Sequence, residues 1–330
     1  MGVAIPGGGF SEDRASGALV VDGSLRFDGA KSQYLSRTPG SVGNRQTWTW
    51  SGWVKRNGLG ANNNIFSGVQ DGNNGTVFYF DTNDCLNFFN YVSAAYAGRR
   101  ITTNVYRDCS SWYHIVLVWD STNATVSNRI RIYVNGVEVT SFSTNTDPSS
   151  ANSIINSTNS NQIGADVGFN NGYSKLQVSN AYLIDGQALD PSYFGYTDPL
   201  TNTWRPKKLS SSVAFGTNGF YLPFDGSAPI GQDQSGRGNN WTPVNFGGSN
   251  TIEKATGALP ILNTDGGGKV ARVGVRTDAN ASSLVLALPL VGIKSDFSNA
   301  INSGTSNKSI TATNAVASST QSNFYGGSFI

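Results

Sequence analysis

One histidine, one methionine, two cysteines and three widely separated glutamates in 330 residues leave few groups for chemistry. A single imidazole excludes any multi-histidine metal site and most histidine-based acid–base or nucleophilic catalysis. Glu12, Glu138 and Glu253 lie too far apart in sequence to share one strand. Charged residues make up 13% of the chain, about half the usual share, and the net charge is +2. Such a weak field argues neither for nucleic acid nor for an anionic membrane surface. There is no apolar run of about 18 residues that would span a bilayer. The first residues lack the basic-then-apolar order of a secretory signal. Two cysteines are too few for a disulfide scaffold and lack metal-ligand spacing. Cys85 and Cys109 read as reduced thiols, with pairing across neighbouring strands as the alternative; bonding requires their Cα atoms to come within range, which spacing does not fix.

What the chain does have is glycine (39) and aromatic residues (17 Phe, 13 Tyr, 7 Trp). No helical periodicity persists over several turns. Short β-branched and aromatic runs recur instead, separated by Gly, Asn, Asp and Ser: Thr47 to Val54, Thr76 to Phe80, and His114 to Trp119. Arg129-Ile130-Arg131-Ile132-Tyr133-Val134 alternates polar with apolar, as a strand with one buried face must. Asn135-Gly136 then separates it from Val137-Glu138-Val139, the strongest short hairpin signal. The pattern predicts an all-β, antiparallel β-sandwich followed by an extended β-rich C-terminal segment.

The expected organisation is a Gly-rich arm over 1–17, a β-sandwich domain over 18–206, and a hairpin-bearing connection over 207–283. A final segment, 284–330, then opens a second domain of the same type or exchanges a strand with a neighbour. The edge at 206 rests on Trp204-Arg205-Pro206-Lys207-Lys208. The final segment rests on an internal echo: Tyr221-Leu222-Pro223-Phe224-Asp225-Gly226 before Asp233-Gln234-Ser235 is answered by Ala287-Leu288-Pro289-Leu290-Val291-Gly292 before Asp296-Phe297-Ser298. On this reading the natural chain continues past Ile330.

The order of landmarks resembles the laminin-G-like (concanavalin A-like jelly-roll) superfamily. Ser24 to Gly29 with Tyr34-Leu35 is similar to its opening strand, and Thr47 to Lys55 to its Trp-containing second element. Trp112-Tyr113-His114 through Asp120 resembles its Trp-x-His strand, Ile132 to Val137 its Tyr-Val-Asn-Gly hairpin, Gln162-Ile163-Gly164 its Ile-Gly element, and Tyr182 to Leu189 its closing strand. The wording of Tyr34 to Pro39 and of Trp48 to Arg56 also resembles fibre and other structural proteins of tailed bacteriophages.

That resemblance implies a non-enzymatic virion protein, a fibre or spike component, that recognises a surface, with host-cell glycan as the preferred ligand. Its other partners would be virion subunits, including copies of itself in a symmetric homo-oligomer, with no nucleic acid and no membrane insertion. The rival is a capsid or tail decoration protein that cements subunits and binds no sugar; a polysaccharide depolymerase is the third reading. Glucanases of the superfamily carry Glu-x-Asp-x-x-Glu on one strand, which none of the three glutamates here reproduces. Asp81 and Asp84 fall on a predicted loop. His114 reads as a packed sheet residue. Calcium, often held at the rim of related domains, needs six to eight oxygens. The loops Asp71 to Asn74 and Asp233 to Asn240 read as turns instead, so no cofactor is assigned.

For glycan contact, Trp48 and Trp50 share a face of one strand and Trp53 takes the other unless a bulge intervenes at Gly52, which marks at least one as core. The better contact candidates are loop aromatics flanked by Asn, Ala or Gly: Tyr91, Tyr96, Phe169 and Tyr173. Tyr with small polar neighbours is the adaptable mix of recognition loops.

Overall fold

In a computed structural model of the chain, the described residues are 19, 21, 23–199, 201–226 and 228–246, together with the backbone of four short strands beyond 250. The chain divides into two units, Met1–Asn250 and Thr251–Ile330. The first is the antiparallel sandwich that the alternating strands predict.

Its seven-stranded sheet runs β1 (Leu25–Phe27), β13 (Leu176–Asp185), β3 (Thr47–Arg56), β8 (Tyr113–Asp120), β9 (Ile130–Val134) and β10 (Val137–Glu138); β16 (Phe220–Leu222) also pairs with β13. The eight-stranded sheet runs β11 (Phe142–Thr146), β7 (Ala95–Val105), β6 (Cys85–Val92), β5 (Asn74–Phe80), β4 (Asn63–Asp71), β12 (Ser160–Ile163), β2 (Tyr34–Arg37) and β17 (Thr242–Val244). The chain beyond Pro206 therefore adds a strand to each sheet. A two-stranded ladder joins β14 (Gly195–Thr197) to β15 (Trp204–Pro206). Between β9 and β10, Asn135 and Gly136 take φ of 49° and 80°, the left-handed pair that a type I′ hairpin demands.

Strand alternation decides what is buried. On β3, Trp48, Trp50 and Val54 enter the sandwich, while Thr49, Ser51 and Trp53 face the other way. Trp48 and Trp50 meet Phe88 and Phe78 of the opposite sheet edge to face at 6.3 and 6.1 Å. Truncating either Trp to Ala would cost about 3–5 kcal/mol. β8 is apolar on both faces because it is covered twice. Ile115, Leu117 and Trp119 join the core, whereas Val116 and Val118 lie with Tyr133, Tyr182, Ile184, Leu189, Phe194 and Val213 in a second cluster outside the sheet.

At one end of the sandwich, Arg56 is fully buried and pairs with Asp84 at 2.9 Å, while Arg107 meets the other oxygen of Asp84 at 2.9 Å. Cys85 is buried, Cys109 is exposed, and both are free thiols.

In the second unit, β18 (Leu262–Thr264) pairs with β19 (Ala271–Val273), and β20 (Ala317–Ser318) with β21 (Ser328–Phe329). The Gly-rich arm 1–17 and the second half of the internal echo, Ala287 to Ser298, lie outside the described residues, as does most of 284–330.

Candidate functional site

Three connections meet at one end of the eight-stranded sheet's outer face. The β4–β5 turn (71–74) is closed by Asp71, whose carboxylate accepts from the Asn73 amide at 2.8 Å and from Asn74 Nδ2 at 2.9 Å. These bonds, that of the Asn74 side chain foremost, hold the carboxyl below its usual range. The β6–β7 turn places Ser93 and Ala94 at φ 51° and 61°. It leans on the first turn through Ser93 N to Asn74 Oδ1 at 2.9 Å and Ala94 N to Asn73 O at 3.1 Å. The third connection, 165–173, wraps Asp166. That carboxylate, 2% exposed, accepts from Gly172 N at 2.6 Å, Asn170 Nδ2 at 3.0 Å and Asn64 Nδ2 at 3.1 Å. Burial raises its pKa against the pull of those donors.

This third loop carries Phe169 over the sheet. Its ring lies so close to Gly75 that a Cβ there would sit 2.8 Å from Cδ2, which is why glycine stands at that strand position. Phe169 then meets Phe89 at 5.5 Å and Tyr91 at 5.7 Å between ring centroids. Tyr91 and Tyr96 face each other across β6 and β7 at 5.0 Å, and Phe89 touches Tyr96 at 5.7 Å and Tyr79 at 5.9 Å. Tyr96 is 47% exposed. The Arg99 guanidinium lies over its ring at 4.3 Å. Burial, chiefly, pushes the Tyr79 phenol up to about 12, so it is a hydroxyl donor at any physiological pH.

Of the four aromatics singled out in the sequence, the structure thus brings together Tyr91, Tyr96 and Phe169. Tyr173 ends the same loop but meets Tyr34 instead, at 6.0 Å. Phe89, Tyr79 and Arg99 belong to the cluster and were missed. The signal available was β6 itself: with Leu86 and Phe88 in the core, alternation puts Asn87, Phe89 and Tyr91 on the outer face.

The other weighed groups serve structure. Trp53 lies 5.0 Å from the His114 ring on the outer side of the seven-stranded sheet. The candidate calcium loops do not fit a cation. Asp71 is committed as described, and the Asp233 carboxylate accepts from Tyr221 N, Ser235 N, Ser235 Oγ and Asn239 N at 2.7–2.9 Å. Among the described residues, no three His, Cys, Asp or Glu side chains gather as metal ligands would. Asp81 and Asp84 do form a turn, where Asp81 accepts from Asn83 N at 2.9 Å and Cys85 N at 3.1 Å.

No curated protein matches this sequence. Among solved structures, it is similar to a heptameric serum-amyloid-P-like pentraxin from Limulus polyphemus (19% identity, 52% of this chain and 80% of that one, TM-score 0.37). It is also similar to a candidate carbohydrate-binding protein from Bacteroides ovatus (17%, 68% and 58%, 0.43) and to domains LG4-5 of the mouse laminin α1 chain (13%, 60% and 48%, 0.34). The chain thus spans little more than half of the second and about half of the third. The family model described as the concanavalin A-like lectin/glucanases superfamily matches residues 28–181. That stretch, a little under half of the chain, carries most strands of the two antiparallel sheets, an all-β sandwich of the concanavalin A-like fold class.

Proposed function

We propose that the jelly-roll domain is a non-enzymatic recognition module that holds glycan on the outer face of its eight-stranded sheet. The observation that carries this reading is the convergence of Tyr91, Tyr96, Phe89 and Phe169 at a rim of three hydrogen-bonded turns, with Tyr96 standing out into solvent. Flat rings offer large contact area at small entropic cost, and Asn73, Ser93 and Asn171 around them supply amides and a hydroxyl for sugar hydroxyls. Binding rather than hydrolysis is supported by the carboxylates. Asp71, Asp81, Asp84, Asp166, Asp185 and Asp233 all bond to amides or guanidinium groups of their own surroundings. A glycan array probed with the whole chain tests the reading. Tyr96→Ala should lose at least about tenfold in affinity and keep its thermal transition. An array blank at high concentration would overturn it, and release of reducing ends from an envelope polysaccharide would restore the depolymerase.

The setting we propose is the surface of a tailed-phage virion, as a fibre or spike subunit in a symmetric assembly. Its support is the phage-like wording around Tyr34 to Pro39 and Trp48 to Arg56, together with sparse charge, which makes contacts vary little with salt. Antibody labelling of purified particles in the electron microscope tests it; unlabelled particles overturn it. One feature favours the cement reading. β11 ends the eight-stranded sheet with Ser143, Asn145 and Thr146 exposed and its outer backbone edge unpaired within the sheet, a surface on which another strand could add.

A further inference from the structure

The glycan reading leaves the sugar's class open, and one side chain bears on it. Arg99 shares the outer face of β7 with the aromatic cluster, directly across from Phe89. Among the described residues it has no ion-pair partner and its Nε no acceptor, although that atom is buried. Beside it, on the next row of the same face, Asn87 is 2% exposed and its Oδ1 is likewise without a partner. Two adjacent polar groups, a donor and an acceptor, are therefore unsatisfied under an aromatic shelf, and such groups are costly unless something completes them.

Nearby acids do not fill the role. Asp166 is held by Gly172, Asn170 and Asn64, Asp81 by Asn83 and Cys85, and Asp71 by Asn73 and Asn74. Arg131 of β9 provides an internal contrast. It too lies over a tyrosine, Tyr133 at 6.0 Å, and its Nε is likewise buried without an acceptor, but its Nη1 donates to that phenol at 3.1 Å. Arg99 has no such bond among the described residues; its guanidinium lies over the Tyr96 ring at 4.3 Å with its charge unpaired.

Resting on the glycan reading above, we infer that this face takes an acidic saccharide whose carboxylate pairs with Arg99 while its ring lies against Tyr96 and Tyr91. A planar guanidinium matches a carboxylate in geometry and charge, and its place over the Tyr96 ring sets it beside the aromatic cluster. Asn87 Oδ1 would accept from a hydroxyl of the same residue or its neighbour. Neutral sugars would use only the aromatic part of the shelf.

The test is titration of the whole chain with tetragalacturonate, sialyllactose and a hyaluronan tetrasaccharide, each beside its carboxyl methyl ester, at low and physiological salt. At least one acid form should bind about tenfold more tightly than its ester, with the preference shrinking as salt rises. Arg99→Gln should abolish the preference, Arg99→Lys should retain part of it, and Arg131→Gln should leave it intact. Equal binding of acid and ester, a preference that survives Arg99→Gln, or binding carried by sulfated sugars with carboxylates inert overturns the inference and leaves the glycan reading standing. Failure of every saccharide, acidic or neutral, removes both.

Discussion

Trp204 donates its indole N–H to His114 Nδ1 at 2.9 Å. An indole N–H only donates, so Nδ1 carries no proton and the imidazole is the neutral Nε2–H tautomer, with Ser51 Oγ at 3.0 Å from Nε2. The ring is 1% exposed and stacks on Trp204 at 5.8 Å. Its burial lowers the pKa from 6.5 to about 3. The unfolded chain protonates this residue below about 6.5, the folded chain only near 3. The stability it contributes is therefore complete above pH 6.5 and is lost as pH falls from there toward 3, at up to about 1.4 kcal/mol per pH unit. The histidine C–H signals, which have no other source in this chain, should not shift between pH 8 and 4.5 in the folded protein. Denaturant unfolding of His114→Gln should show a correspondingly shallower acid slope. A mid-range titration near pH 6.5 would refute the assignment.

Asp185 joins three separate segments. Its carboxylate accepts from Asn44 N at 2.7 Å, Asn218 N at 2.9 Å and Asn156 Nδ2 at 3.0 Å, and the residue is 6% exposed. Asp185→Ala would leave three donors unmet, which predicts a loss of about 3 kcal/mol or more in urea unfolding. Asp185→Asn keeps an acceptor and should cost less. A loss under about 1 kcal/mol for the alanine variant would mean that water replaces the carboxylate.

Asp166 governs the loop that supplies Phe169. With alanine in its place, hydrogen exchange at Asn171 and Gly172 should accelerate about tenfold to a hundredfold through local opening, while amides in β3 and β8 exchange as before. Unchanged protection in 165–173 would show that the loop is held by its packing instead.

The two thiols should react very differently. Cys109 is exposed, whereas Cys85 is buried, with burial foremost in raising its pKa. A thiol reagent should modify one cysteine rapidly in native protein and the second only in denaturant. Two equally fast thiols, or none, would contradict this arrangement.

Much of the sandwich was legible because alternation and turn chemistry are local. Arg129 to Val134, then Asn135-Gly136, dictate β9 and the hairpin that follows. The short strands β16 and β17 were legible as strands but not in their pairing: three residues are too few to fix a partner, and β16 joins β13 while β17 joins β2 in the other sheet. The 187–216 segment was hidden likewise, since its apolar residues are spaced to meet β8 and β13 and follow no period of their own. At the site, small flanking residues pointed to Tyr91, Tyr96 and Phe169, but the same cue selected Tyr173, which the loop turns toward Tyr34. Arg99 and Phe89 become neighbours through cross-strand register, and register is a property of the pair.

Because neighbouring residues of β6 look in opposite directions, and β7 alternates likewise on either side of the register shift opposite Asn90 and Tyr91, Phe88 and Gly98 belong to the interior while Phe89, Tyr91, Tyr96 and Arg99 belong to the shelf. Replacing a shelf residue thus leaves its interior neighbours untouched. The domain is free to diversify what it grips without renegotiating how it folds.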